Sequence, residues 1–461
     1  MDDALENCFI IPVINDFIVY APLVGISALV NRAGILELQE QIHLIKENKG
    51  KPESKLYDLA KDIIQSQIIH PVRKEGDLNP EFLGIIPTRS CNGACNYCDF
   101  GAAKATSKKM SYQLAAEVVN WYVSILKQQN RNIFEIHFFG GEPMIARDII
   151  EVVNHRARLL ATEENLITFF EISTNGQFGK ADALFLGDYF DKVILSFDGF
   201  KEVQNKHRPL KGNKSSFENT VETAKIISKS NAQLCIRCCV SSENVQNMEE
   251  FTTWLCNNLK LTAINFEILC SSPQTNSFGL YPPDPVEFAI HFQKSREIAI
   301  EYGVDVVYAS DISGQPLVSS CPVGKDTAIV TPDGKISNCY LMPEKWEDAG
   351  LELSFGNIKS NGDINLEQNK IEFIRNMVEN KPRCENCFCQ WSCAGGCHVG
   401  ITYPGSSLNY DNFCIQTRLI STFSLLMNMG LDMKINELLL SPIALQKISA
   451  PLSDKLEALK N

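Results

Sequence analysis

Six apolar runs recur along the middle of the chain, at 82–87, 133–139, 167–173, 192–197, 233–240 and 263–269. Each is followed by a stretch with helical spacing, at 111–126, 146–160, 180–186, 216–228, 248–259 and 285–302. Short runs rich in Ile, Val and Phe predict strands, and apolar residues three and four apart predict amphipathic helices. Their alternation predicts parallel strands with right-handed crossovers, hence an α/β sheet or partial barrel over residues 81–310.

The strands are unevenly polar. Side chains alternate between faces with a period of two. Glu135, His137 and Phe139 therefore share a face, as do Glu171 and Ser173, Ser196 and Asp198, Cys235 and Arg237, and Asn265 and Glu267. The residues between them are mostly apolar. If helices cover the apolar face, the polar face lines a lumen, and charges there need a ligand or one another. Taken singly, His137 and Glu171 read more simply as satisfied core residues; the set points to function. Catalytic groups are then expected at the C-terminal strand ends.

Residues 1–80 hold two short apolar runs, 9–13 and 17–20, turned at Asn15 and Asp16, and helical patterns at 33–45 and 56–68. They read equally as a small self-standing β-plus-helix unit or as an extension packed on the main domain. Residues 311–420 crowd cysteines among short elements, so metal rather than a large apolar core is expected to organise them. Helical spacing at 415–429 leads into an expected helical or loosely ordered tail over 421–461.

Charge and termini narrow the setting. A net charge of -12 and a pI near 5.2 oppose unassisted binding to nucleic-acid phosphates or anionic lipid, so neither is expected as a partner. The start is acidic, and Pro12, Asn15, Asp16 and Pro22 interrupt the apolar stretch 9–30, which predicts neither an export signal nor a membrane span. A reducing, cytoplasmic setting follows, where 17 cysteines read as metal ligands or catalysts rather than disulfides.

Three of those cysteines carry the most information. Cys91, Cys95 and Cys98 follow the first predicted strand as CNGACNYC. An iron-sulfur cluster normally takes four cysteines. Three ligands on a four-iron cube leave one iron open, and an open metal position is where binding and reaction occur. A structural zinc site is the alternative.

CNGACNYC, with aromatic Tyr97 before its last cysteine, resembles the signature loop of the radical S-adenosylmethionine superfamily. FFGGEP, with Gly140, Gly141 and Glu142 after the second strand, is similar to that family's motif for the methionine amino group. STNG, with Asn175, SFDG, with Ser196, and HRP, with Arg208, fit the same order. The resemblance covers about residues 81–415 and implies a partial (β/α)6 TIM-like barrel. The cysteine-rich region resembles a SPASM domain through Cys321, Gly334, Cys339, Cys384, Cys387, Cys393, Cys397 and Cys414.

By that resemblance, Cys91, Cys95 and Cys98 hold the radical-generating 4Fe-4S cluster, one of three. Cys321, Cys339 and Cys397 hold a first auxiliary cluster; Cys384, Cys387, Cys393 and Cys414 hold a second. The fourth ligand of the first auxiliary cluster stays open between Cys389, Cys270, water and a substrate cysteine. Tyr97, Gly140, Gly141, Glu142, Asn175, Ser196 and Arg208 are implied as S-adenosylmethionine contacts, Ser196 and Arg208 for the ribose and carboxylate. Implied partners are a precursor peptide and a flavodoxin or ferredoxin-type reductant.

The resemblance implies hydrogen abstraction by a 5'-deoxyadenosyl radical from a ribosomally made peptide, forming a thioether or carbon-carbon crosslink. The N-terminal unit faintly resembles leader-peptide recognition domains. A sulfatase-maturing, formylglycine-forming enzyme is the alternative, weakened because that group places an Asp after the cysteine matching Cys339, where this chain has Tyr340. A non-catalytic electron carrier or zinc-stabilised binding protein is the alternative of another class. Cys8, Cys238 and Cys256 read as packing residues, and His398 as packed or solvated beside Cys397.

Overall fold

A computed structural model describes residues 2–101, 108–311, 314–378, 382–399, 411–450 and 455–456. The expected cysteine-rich region and tail therefore each lie partly outside the described residues, at 400–410 and at most of 451–461.

Near the N-terminus, β1 (Phe9–Val13), β2 (Asp16–Ala21) and β3 (Ile26–Asn31) form an antiparallel sheet in that order. Phe9, Ile11, Val13 and Ile18 face the main core, whereas Ile10, Val19 and Ala21 meet Ile35, Leu38, Ala60 and Ile63 in a small core of their own. These last come from helices Arg32–Lys46 and Tyr57–Gln65. Each of the two readings of this segment thus describes one face of one sheet. The third strand escaped the pattern because it lies at an edge: every residue but exposed Asn31 is half-buried, so no apolar alternation marks it.

The six expected core strands are present as β4 (Leu83–Ile85), β5 (Ile133–Phe138), β6 (Ile167–Thr174), β7 (Lys192–Ser196), β8 (Gln233–Val240) and β9 (Ala263–Ile268). They pair in parallel in chain order. A seventh, β10 (Asp305–Val307), continues the sheet beyond β9. On the other edge β11 (Ala328–Val330) pairs with β4 in parallel, and β12 (Lys335–Ser337), β13 (Ser354–Ile358) and β14 (Ile364–Leu366) follow antiparallel. The sheet has 11 strands and is α/β throughout its parallel part.

This corrects the expectation that metal alone organises the cysteine-rich region. Its strands extend the main sheet, and Val330, Ile336, Trp346, Leu353 and Phe355 are buried in the main core. Three-residue strands are too short to show a period. Gly334 turns β11 into β12 at φ +85°, where an added Cβ would lie 2.1 Å from the Ile358 carbonyl oxygen. Cys339 follows directly after that hairpin.

Helix Asn412–Asn428 is buried without interruption from Gln416 to Leu426. The tail helices Asp432–Leu439 and Pro442–Ser449 add Ile435, Leu438, Leu445 and Ile448 to the core. No helix among the described residues is long and apolar enough to cross a membrane.

Candidate functional site

The cysteine loop leaves β4 at the C-terminal rim of the sheet and is held there by glycine contacts. An added Cβ on Gly141 would lie 2.1 Å from Ser90 O and 2.4 Å from Arg89 O, and one on Gly140 would lie 2.6 Å from Thr88 O. Only bare backbone permits this approach. It is fixed by Gly141 N–H donating to Thr88 O at 3.2 Å and Glu142 N–H donating to Ser90 O at 2.8 Å.

Glu142 is 1% exposed, and its carboxylate accepts from Met144 N, Thr174 Oγ1 and Asn175 N at 3.1, 2.8 and 2.8 Å. Burial pushes its carboxyl up, opposed by these hydrogen bonds and by Arg208. Asn175 donates from Nδ2 to Asn92 Oδ1 at 2.9 Å and stands 3.5 Å from Cys91 Sγ. Glu142 and Asn175, both predicted site residues, therefore brace the loop from the ends of β5 and β6.

From the other side the HRP segment pairs with the loop as a short ladder. Ala94 N–H donates to Pro209 O at 2.8 Å, Asn96 N–H to His207 O at 2.9 Å and Lys211 N–H to Asn92 O at 3.2 Å. This carries Arg208 to Tyr97, whose hydroxyl accepts from Arg208 Nη1 and donates to Asp198 Oδ2 at 2.6 Å. Asp198 also accepts from Cys239 N at 3.0 Å and lies 3.4 Å from His207 Nδ1. Burial alone would raise its carboxyl; Arg208 first, then His207 and Tyr97, hold it below the usual range. Ser196 ends β7 beside this network, in register with Arg237 of β8.

The surroundings of Cys91 and Cys95 favour the neutral thiol over the thiolate. Burial, and then Glu142, pushes Cys91 up to about 12; burial raises Cys95, with Arg208 opposing. Ligation therefore has to expel protons. A Cβ on Gly93 would sit 3.5 Å from Cys91 Sγ, 3.7 Å from Cys95 Sγ and 3.7 Å from Asn175 Nδ2. The bare backbone of Gly93 thus lies beside two of the loop's sulfurs, and Cys91, Cys95 and Cys98 are the residues that would hold a cluster there. No three His, Cys, Asp or Glu among the described residues gather around a single ion.

Above the polar face of the strands lies a cavity of about 310 Å³. Its lining includes His137, Glu171, Ser173 and Arg237 from the strands and Cys321, Cys339 and Cys397 from the cysteine-rich region. The expected lumen charges are paired: His137 Nε2 lies 2.7 Å from Glu135 Oε1 and its Nδ1 3.6 Å from Glu171 Oε1, while Lys192 Nζ lies 2.8 Å from Glu171 Oε2. Phe100, Phe139 and Tyr340 form an aromatic side, with ring centroids 4.7 and 4.9 Å apart in succession. His398 is buried and reaches Ser319 Oγ at 3.4 Å.

The remaining cysteines separate into two groups. Burial, with the charges of Cys397 and Cys321 adding, pushes Cys339 up to about 12, and all three of these cysteines line the cavity. Cys393 is buried, and Cys384, Cys387 and Cys414 act on it in that order. The left-handed run Ala394, Gly395, Gly396, at φ +49°, +83° and +72°, turns the chain between Cys393 and Cys397 and sends them to different groups. Cys389 belongs with Cys387 and Cys393. Cys270 reaches solvent, and its thiol is pushed up to about 11 by burial and then by Asp99 and Cys397. Cys397 of the first group contributes to that shift, whereas the described causes at Cys389 come from Cys387, Cys393 and Arg418.

A model of the radical SAM superfamily matches residues 85–255, and one of an iron-sulfur cluster-binding domain, SPASM, matches 321–389. The chain carries a radical SAM domain and a SPASM domain. A radical SAM cyclopropyl synthase, TigE, of Paramaledivibacter caminithermalis is 21% identical over 71% of this chain and 69% of its own length. A cysteine-type anaerobic sulfatase-maturating enzyme of Clostridium perfringens is 26% identical over 73% and 94%. The solved structure of native anSMEcpe with bound AdoMet and Cp18Cys peptide shares the fold, with a TM-score of 0.59, 19% identity and coverage of 78% of this chain and all of that one.

S-adenosylmethionine and iron-sulfur clusters are the cofactors these radical SAM and SPASM domains imply. Two residues of the site, Asn92 in the cysteine loop and Asp198 after β7, were not singled out from the sequence. Asn92, inside the cysteine motif, donates to Gln177 O at 2.7 Å and accepts from Asn175. Asp198 was read only as one polar strand-end residue, but it is the buried acceptor on which Tyr97, His207 and Arg208 converge. Its position in SFDG was the available signal. Cys8 and Cys238 are buried and Cys256 half-buried, as packing residues are.

Proposed function

We propose that the protein is a radical SAM enzyme that modifies a ribosomally made peptide, forming a thioether or carbon-carbon crosslink. One observation carries this reading: a single cavity of about 310 Å³ is lined both by His137, Glu171, Ser173 and Arg237 of the strands and by Cys321, Cys339 and Cys397. A substrate side chain entering it meets both the radical SAM rim and the first SPASM group. When bound, S-adenosylmethionine and the cluster at Cys91, Cys95 and Cys98 supply a 5'-deoxyadenosyl radical.

The chain's own task is orientation and exclusion of water. Gly140, Gly141 and Glu142 supply backbone for the methionine amino group, Asn175 and Tyr97 brace the loop around it, and Ser196 and Arg208 take the ribose and carboxylate. Two SPASM clusters complete the set of three, with Cys321, Cys339 and Cys397 on one and Cys384, Cys387, Cys393 and Cys414 on the other. A flavodoxin or ferredoxin-type protein is the proposed reductant.

A precursor peptide has a ready edge at the N-terminal sheet. The β1 edge is bridged by Lys455, with Leu456 N–H donating to Cys8 O at 2.9 Å, whereas β3 lies at the opposite end of the strand order. Peptide adding as a strand to β3 would fit that geometry. The formylglycine alternative is disfavoured at Tyr340. Burial, then Glu171 and Cys339, raise its hydroxyl, so at neutral pH it is a donor and not a base.

Anaerobic co-expression with a short peptide encoded beside the gene tests the proposal. A peptide mass lowered by two hydrogens, with 5'-deoxyadenosine formed alongside, is expected. Cofactor cleavage with no change in any candidate peptide, together with conversion of a sulfatase cysteine to formylglycine, would replace this reading with the alternative.

A further inference from the structure

The second cysteine group is buried together with two arginines. Arg418, on helix Asn412–Asn428, is 1% exposed. Its Nε donates to Ile448 O at 2.7 Å, its guanidinium carbon lies 4.8 Å from the Phe388 ring centroid, and its Nη1 lies 3.7 Å from Cys387 Sγ. Arg383 has a side chain 6% exposed, donates from Nη2 to Gly395 O at 2.9 Å and lies 3.3 Å from Asp411 Oδ2. Asp411 in turn caps helix Asn412–Asn428, accepting from Cys414 N at 3.1 Å.

A buried guanidinium is costly unless negative charge compensates it. Arg418 places its guanidinium beside the Cys387 sulfur, so a thiolate there adds to the negative charge that compensates it. The relation works in both directions. Adding an electron to a cluster adds negative charge, and a fixed cation in a low-dielectric surrounding favours that state. Hydrogen bonds to ligand sulfurs and local charge are recognised levers on cluster potential. The first group differs: its wall is the open cavity, and the guanidinium near it, Arg89, donates to Tyr340 O at 3.5 Å.

We infer that Arg418, supported by Arg383, raises the reduction potential of a cluster held by Cys384, Cys387, Cys393 and Cys414, making it an electron acceptor. Arg418 is a positioning residue that acts through the Cys387 sulfur. The inference rests on the proposal above that these four cysteines hold a cluster.

The test is a spectroelectrochemical titration, followed by electron paramagnetic resonance, of anaerobically loaded wild type, Arg418→Gln, Arg418→Lys and Arg383→Gln. At unchanged iron and sulfide content, Arg418→Gln should move one couple to lower potential and leave the others in place. Arg418→Lys should restore most of the shift, and Arg383→Gln should move the same couple in the same direction. Unmoved couples in fully loaded Arg418→Gln would overturn the inference; if that variant loses its cluster, unmoved couples in loaded Arg383→Gln would do so. A Cys384→Ala, Cys387→Ala variant with wild-type iron content would overturn the cluster assignment itself, a failure separable from the first.

Discussion

Asn175 reaches Cys91 across the strand ends: its Nδ2 lies 3.5 Å from Cys91 Sγ while its backbone N–H donates to Glu142 Oε2 at 2.8 Å. The carboxylate of Glu142 thus acts on the cysteine loop through one intermediary. All three of its described side-chain partners are donors. A glutamine there would turn an amide N–H₂ toward a donor, leaving buried groups unpaired at a cost of about 1 to 3 kcal/mol. Glu142→Gln should lower stability by that order and loosen S-adenosylmethionine binding at least tenfold. Equilibrium dialysis of the anaerobically loaded variant checks this, and unchanged affinity would refute the bracing role.

Replacing Cys91, Cys95 and Cys98 together by Ala should remove about four irons and abolish formation of 5'-deoxyadenosine, while the absorbance of the SPASM clusters persists. The separation predicted follows from the structure, because the two SPASM cysteine groups lie on different segments from the β4 loop. Iron and sulfide assays with reverse-phase detection of the nucleoside read both parts. Complete loss of iron would mean that the three sites assemble as one.

What the sequence showed and what it hid divide along physical lines. Cys91, Cys95 and Cys98 are legible because their chemistry demands one residue type at short, fixed spacing, and GGEP because close backbone approach demands glycine. The core strands β5 to β9 are legible because each is long enough to show a period. Edge strand β3 and the three-residue strands β10, β11, β12 and β14 are not, having little or no alternation to display. Asp198 was visible as a polar strand-end residue, but its convergence with Tyr97 and Arg208 depends on segments 101 residues and 10 residues away meeting in space. The division of Cys393 from Cys397 was implied by the resemblance, and the left-handed turn between them is the structural feature that goes with it.

Asp198 and Arg208 make a pH prediction with a definite sign. The carboxyl of Asp198 is held below its unfolded value, so the stability it contributes is complete above about pH 4 and is lost as pH falls through the depressed folded value. Between about pH 5 and pH 7 this group should leave wild-type stability flat. In Arg208→Met the largest opposing charge is gone and burial dominates. The folded carboxyl then rises above its unfolded value, and stability is lost as pH rises. That variant should be about 3 to 5 kcal/mol less stable than wild type at pH 7 and recover part of the deficit toward pH 5. Urea midpoints at the two pH values decide it; a deficit independent of pH would show that lost packing, not charge, is responsible.

Gly141→Ala probes the approach of the GGEP turn to the cysteine loop by sterics alone. The new Cβ would lie 2.1 Å from Ser90 O and 2.4 Å from Arg89 O, distances no real contact tolerates, and both are backbone atoms that cannot rotate aside. Either the turn or the loop has to move, at a cost of about 2 to 3 kcal/mol. The loop is the part that yields, since the turn is anchored by Glu142 between β5 and β6. Displacing residues 89 and 90 moves Cys91 directly, so the variant should lose about four irons and its cofactor cleavage while keeping the SPASM absorbance. Gly179→Ala, where an added Cβ has nothing within 4 Å, serves as the control and should retain both. Wild-type iron content and cleavage rate in Gly141→Ala would mean that the turn gives way instead, and that its fit against the loop does not position the cysteines.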